Sequence, residues 1–102
     1  MDDSQKIQEL GMIEQNLQSI LFQKQAFEME LDETLSAIRE VEKTGEEVYK
    51  VIGQIMIKTE KSRIKSELSE KKKILELRIV SLDKQNELLE KKLEKIRKEL
   101  EK

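Results

Sequence analysis

The strongest constraint on the fold is a pair of long segments in which apolar residues recur at alternating steps of three and four. In the first segment the repeat runs from Leu10 to Val41, and Lys24 and Thr34 fill the two positions that are not apolar. This alternation keeps one stripe of a helix facing a partner helix, so it predicts a coiled coil. The first stripe consists of Leu10, Ile13, Leu17, Ile20, Lys24, Phe27, Leu31, Thr34, Ile38 and Val41.

The second segment carries the same alternation from Leu75 to Leu100, with Leu68 seven residues before it, and Asn86 is the polar member of the run from Leu75 onward. A lone polar residue at such a seam position can specify one alignment of the helices at a cost in stability. The alternative is that Asn86 lies in a loosely packed, solvated part of the coil, and the sequence leaves both readings open. The second stripe consists of Leu68, Leu75, Ile79, Leu82, Asn86, Leu89, Leu93, Ile96 and Leu100.

The residues between the two repeats predict a β-hairpin. Two runs rich in β-branched residues, Val48–Ile52 and Ile55–Thr59, are separated by Gly53 and Gln54. Glycine as the first of two loop residues suits a type II′ turn, which joins adjacent antiparallel strands.

These signals predict one domain with two antiparallel helices of matched length. Gly45 is expected to end the first helix in a left-handed conformation. The second helix is expected to begin between Thr59 and Ser66, with Thr59 or Ser62 as its cap. The predicted bounds are 1–102 for the domain, 4–44 for the first helix, 46–60 for the hairpin and 63–101 for the second helix.

The predicted hairpin requires other chains. Two-stranded sheets are marginal in water, and this one would have two unpaired edges and too many apolar side chains for one covered face. We therefore predict that hairpins of several chains pair edge to edge into a closed or nearly closed sheet. The residues expected to take part, called the hairpin residues below, are Val48, Tyr49, Val51, Ile52, Gly53, Ile55, Met56 and Ile57.

Composition argues against an enzyme. The chain is 41% charged with a net charge of −2, and it contains no His, Cys, Pro or Trp. It therefore has no thiolate, imidazole base or cysteine-based zinc site, and we predict neither a metal nor a cofactor. Its mixed charges and scarce aromatic residues disfavour nucleic acid. No stretch approaches the roughly 18 apolar residues that a membrane span requires, and a cytoplasmic location is expected.

Three motifs together resemble the β-type subunits of prefoldin, most closely their archaeal form. They are KQAFEMEL (Lys24–Leu31) in the first helix, VYKVIGQIMIK (Val48–Lys58) in the hairpin and ELSEKKKILELRI (Glu67–Ile79) in the second helix. The hairpin motif is the most specific, because coiled-coil segments resemble one another generically.

The resemblance implies a mainly α protein, an antiparallel two-helix coiled coil with one β-hairpin at the connection. The hairpins of several subunits would form a β-barrel platform. It also implies a heterohexamer of two α-type and four β-type subunits, which binds unfolded polypeptides at the ends of its coiled-coil arms. Such complexes pass their clients to a group II chaperonin without nucleotide.

The chain ends carry more apolar residues than a two-stranded seam uses. Met12 and Ile7 lie outside the first stripe, as do Leu21 and Phe22, and Leu88 lies outside the second. The alternative reading is that they complete ordinary packing and that the chain is a structural tether or scaffold without clients. The expected client-binding residues, called the terminal contact residues below, are Ile7, Leu10, Met12, Ile13, Leu17, Leu93, Ile96 and Leu100.

Overall fold

The computed structural model describes residues 2–101, which form two long helices joined by a β-hairpin. In chain order the elements are α1 (Asp3–Glu42), β1 (Glu47–Ile52), β2 (Ile55–Glu60) and α2 (Lys61–Glu101). The predicted element order and fold class are confirmed.

The chain divides into two compact units. The terminal unit contains residues 1–27 and 78–102, and the hairpin unit contains residues 28–77. Each unit takes one part of α1 and one part of α2.

In the terminal unit the two helix segments are antiparallel. Lys6 pairs with Glu99, and Lys24 pairs with Asp83, so the partner number falls as the α1 number rises. The most deeply buried apolar side chains of this unit follow the predicted stripes, because only the stripe residues of one helix meet those of the other. They are Ile13, Ile20, Leu82 and Ile96.

In the hairpin unit a polar residue occupies the seam without a loss of hydrogen bonding. Thr34 is buried, and its hydroxyl donates to the carbonyl oxygen of Glu30 at 2.8 Å, one turn earlier in α1. This bond satisfies a hydroxyl that would otherwise be costly to bury.

A reciprocal cap starts α1. The backbone N–H of Gln5 donates to the Asp2 carboxylate at 2.8 Å, and the backbone N–H of Asp2 donates to the Gln5 side-chain oxygen at 3.3 Å. This arrangement is a capping box, which satisfies N–H groups that have no partner inside the helix.

The prediction that Gly45 ends α1 in a left-handed conformation is wrong. The helix ends at Glu42, and Gly53 is the residue with a positive φ among residues 2–101. The last turn instead tightens through a bond from the Thr44 N–H to the Val41 carbonyl oxygen. The Lys61 ammonium then donates to the carbonyl oxygens of Glu42, at 3.2 Å, and Thr44, at 3.0 Å.

The second helix begins inside the predicted range from Thr59 to Ser66, two residues before the bound of 63. It starts at Lys61, directly after the last residue of β2. The residue before the helix is therefore Glu60, and neither of the predicted caps, Thr59 and Ser62, holds that position. The Lys61 N–H donates to the Glu46 carbonyl oxygen at 3.0 Å, which extends the pairing of the hairpin into the start of the helix.

The hairpin turn has the predicted form. Ile52 pairs with Ile55, which leaves Gly53 and Gln54 as a two-residue loop. Gly53 has φ +59°, whereas Gln54 does not have a positive φ. A positive φ at the first loop residue alone is the pattern of a type II′ turn. No helix within residues 2–101 is long and apolar enough to cross a lipid bilayer.

Asn86 is half-buried at its seam position, where it lines a groove with Leu17 and Leu21. We expect Asn86→Leu to stabilise the protein by about 1 kcal/mol, because an aliphatic side chain gains burial that the amide does not. The melting temperature of the assembled protein should rise accordingly. Asn16→Leu, the same change at an exposed position of α1, is the matched control and should leave it unchanged. Equal melting temperatures for both variants would show that Asn86 is simply solvated.

Candidate functional site

The hairpin exposes most of its apolar side chains. Val48 is buried, whereas the other large hairpin residues keep between 46% and 67% of their surface exposed. Those residues are Tyr49, Val51, Ile52, Ile55, Met56 and Ile57. Within residues 2–101 each strand has one neighbour, so the outer edge of each strand is open to backbone hydrogen bonds from another chain.

One face of the sheet lies toward α2. Residues directly opposite in an antiparallel pair share a face, so the register places Val48, Ile52, Ile55 and Ile57 together. Lys50 lies on the same face, and its ammonium donates to the Glu67 carboxylate of α2 at 2.8 Å. This ion pair joins the hairpin to α2, and Val48 is buried on the same face of the sheet.

The opposite face is apolar at its centre and charged at its border. The register groups Tyr49, Val51 and Met56 there, and the Lys58 ammonium lies 3.0 Å from the Glu47 carboxylate. Both faces of the sheet therefore present apolar surface to solvent. A sheet of this kind is suited to contact with other chains on its edges and on both faces.

Two lysines lower the pKa values of two glutamates that border the hairpin. The hydrogen bond from Lys50, with a smaller contribution from its charge, holds the pKa of Glu67 below its ordinary value. The hydrogen bond and charge of Lys65 likewise lower the pKa of Glu42. Both carboxylates are exposed, so these ion pairs position α1, α2 and the hairpin within the unit more than they stabilise it.

The terminal contact residues fall into three classes of exposure. Ile13 and Ile96 are buried in the seam, at 3% and 5% of their full exposure. Leu10, Leu17, Leu93 and Leu100 are half-buried. Ile7 and Met12 are exposed, at 60% and 65%. All eight lie in the terminal unit, but only the last two are open on its surface.

Comparison with known proteins supports one family. The prefoldin subunit family matches residues 4–102. The chain belongs to the prefoldin subunit family. It is 40% identical over 81 residues to prefoldin subunit beta of Thermococcus onnurineus, and the aligned region covers 74% of this chain and 70% of that protein. It is 36% identical over 83 residues to prefoldin subunit beta of Archaeoglobus fulgidus, with 79% and 72% covered.

The same family appears among solved structures. The crystal structure of the prefoldin beta subunit from Thermococcus strain KS-1 superposes with a TM-score of 0.86 at 33% identity, covering 94% of this chain and 86% of that one. The resemblance predicted from the sequence to a β-type, archaeal-like prefoldin subunit is confirmed. Prefoldin subunits are chaperone components and are not known as enzymes, which agrees with the prediction from composition.

Several exposed apolar residues of this prefoldin chain were not singled out as site residues. Phe22 and Leu88 are among the off-stripe residues identified from the sequence, whereas Met29, Ile74 and Leu77 are not. The structure exposes all five. The signal that finds them is the same one that finds Met12, because each falls off the three-four alternation of its helix.

Acid should weaken the attachment of the hairpin to α2. Glu67 binds fewer protons in the folded state than in the unfolded state, since its folded pKa is lowered. Its stabilising contribution is therefore complete above its ordinary pKa of 4.5 and is lost as the pH falls through the lower folded value. We expect Glu67→Gln to lower the melting temperature of the assembled protein above pH 4.5 and to have less effect as the pH falls below it.

The matched control is Glu70→Gln, the same change one turn further along α2. It should not reproduce the pH-dependent difference. A Glu67→Gln effect that stays constant across this pH range would contradict the assigned ion pair.

Proposed function

We propose that the chain is a subunit of an ATP-independent chaperone, which captures unfolded polypeptides with its terminal unit and delivers them to a group II chaperonin. In this proposal two α-type and four β-type subunits form a cytoplasmic heterohexamer. The hairpins build a shared β-barrel platform, and the terminal units carry the client-binding surface. Family membership supports the chaperone assignment. The division of the chain into two units supports separate roles, assembly for the hairpin unit and client binding for the terminal unit.

The observation that carries the proposal is the separation of the two sets of exposed apolar residues. Every hairpin residue lies in the hairpin unit, and every terminal contact residue lies in the terminal unit. Assembly and client binding can therefore use different surfaces. Because capture would depend on apolar contact, which is non-directional, the subunit would hold many different unfolded chains without nucleotide.

A structural tether without clients is the rival function. A tether needs a closed seam and a charged exterior. More than half of residues 78–101 of α2 are charged, although Val80 and Leu88 are exposed there. The exposed Ile7 and Met12 of α1 favour the chaperone, since a tether gains nothing from apolar side chains in water.

Assembly should depend on the hairpin. Ile55→Asp combined with Ile57→Asp places two carboxylates on the face that also carries Val48, where contact with another chain would leave them buried and unpaired. We expect the double variant to lose the hexamer while its circular dichroism still reports helix. Light scattering measures the mass. Ile74→Asp combined with Leu77→Asp, also at exposed aliphatic positions of the hairpin unit, is the control that should assemble. A hexamer of normal mass from the hairpin variant would contradict the platform.

Client capture should require the terminal unit. Removing residues 1–27 and 78–102 deletes all eight terminal contact residues and keeps the whole hairpin unit. The shortened chain, co-expressed with an α-type partner, should assemble but fail to suppress aggregation of a denatured test protein. The intact complex should suppress it without ATP.

Equal protection by the shortened and intact complexes would place client binding outside the terminal unit. Protection by neither complex would overturn the chaperone function and favour the tether.

A further inference from the structure

The two helices of the terminal unit differ sharply in charge. More than half of residues 78–101 in α2 are charged. Over residues 5–27 of α1 the charged residues are Lys6, Glu9, Glu14 and Lys24. Solubility alone does not explain this difference, because both helices have one face toward the seam and one toward solvent.

The few charges of this part of α1 are all directed toward α2. Each reaches an oppositely charged side chain of that helix, at distances from 2.7 Å to 3.8 Å. The four ion pairs are Lys6 with Glu99, Glu9 with Lys92, Glu14 with Arg97, and Lys24 with Asp83.

The opposite side of α1 is consequently an exposed surface without charge. Its residues follow one another at helical spacing, about half a turn away from the seam residues Ile13 and Ile20. We call it the neutral face, and its central members are Gln8, Gly11, Met12, Gln15, Gln18 and Phe22, all of which are exposed.

A shallow groove runs along the neutral face. Its lining residues are Gly11, Glu14, Gln15, Gln18, Ser19, Phe22 and Gln23. Glu14 is the charged residue among them, and its carboxylate pairs with Arg97 of α2 at 3.6 Å. Gly11 carries no side chain, and a Cβ added there would meet nothing within 4 Å, so the space over the helix backbone is open at this position. Phe22 is 61% exposed and supplies the largest apolar surface of the groove.

The chemistry of the neutral face identifies its occupant. The charged groups of a charged partner would lose their hydration at this face without meeting an opposite charge, which is unfavourable. A second copy of α1 would press glutamines against glutamines where a coiled-coil seam requires aliphatic residues. An extended, uncharged polypeptide fits better, because each glutamine amide both donates and accepts hydrogen bonds and can pair with peptide groups of any sequence. Met12 and Phe22 add contacts that adapt to many apolar side chains.

We propose that the neutral face binds uncharged segments of unfolded polypeptides, and that the absence of charge selects the segments that this chain holds. This inference rests on the proposed chaperone function and deepens it. It assigns the client contact to the exposed side of α1 and not to the seam residues Ile13 and Ile96, which are buried.

The test uses the complex of the full chain with its α-type partner and labelled unfolded peptides. One peptide is uncharged, and two derivatives of it carry either added Asp or added Lys residues. Fluorescence anisotropy should show that the wild-type complex binds the uncharged peptide about tenfold more tightly than either derivative. Added salt should leave the binding of the uncharged peptide unchanged, because screening acts only on charge.

Two variants then test the location. Gln15→Glu with Gln18→Glu, and Gln15→Lys with Gln18→Lys, keep good helix formers at exposed positions. Each should weaken binding of the uncharged peptide about tenfold, and the Glu variant should gain affinity for the Lys-bearing derivative. Gln85→Glu, the same change at an exposed position of α2 in the same unit, is the matched control and should bind as the wild type does.

Equal wild-type affinity for all three peptides would overturn the selection by charge. Unchanged binding by both charged variants would show that the peptide does not bind at the neutral face. A change in the mass of their complexes would also overturn this binding site, because it would show that the neutral face is a contact between subunits. Selective peptide binding by a wild-type complex that fails to suppress aggregation would uphold the neutral face and overturn the chaperone function.

Discussion

The narrow apolar seam between the helices is the interaction on which the other features depend. Two helices can bury only one stripe each, so few side chains reach the interior, among them Ile13, Leu75 and Leu82. Most large apolar side chains of the helices that lie off the stripes are consequently exposed, among them Met12, Phe22 and Leu88. The seam thus holds the helix pair together within each unit and leaves the hairpin and the outer side of α1 available to other chains.

Charge organises the surface that the seam leaves exposed. Exposed ion pairs contribute little stability individually, so their value here lies in where they place side chains. In the terminal unit, pairs such as Lys24 with Asp83 draw the charges of α1 toward α2. In the hairpin unit, Lys50 and Glu67 join the sheet to the helix that follows it. The terminal unit is left with the neutral face of α1, which lacks charge, and the hairpin unit is left with a sheet whose edges are open.

Most of the fold was predictable because it depends on local periodicity. The stripes, the two strands and the turn at Gly53 each follow from residues close together in sequence. The error at Gly45 has the opposite origin, since the carbonyl groups at that end of α1 are satisfied by Lys61, which lies in the next helix. Glycine is a frequent helix terminator, but a distant ammonium made the left-handed conformation unnecessary. The exposed Met29 and Leu77 were not predicted as site residues, because a residue off the stripe is open to solvent only if no neighbouring element covers it, which the repeat does not specify.

The sequence by itself determined which residues of each helix face the seam, where the chain turns, and that its hairpin carries more apolar surface than it can cover. These properties depend on the three-four repeat and on the conformational freedom of glycine, both of which are local. Only the tertiary structure decided how deeply each stripe residue is buried: Ile13 is buried, whereas Leu17 on the same stripe is half-buried. It also decided that the charges of α1 point toward α2. Burial and ion pairing depend on the neighbouring helix, and a repeat within one helix does not specify which side chains of the other lie opposite.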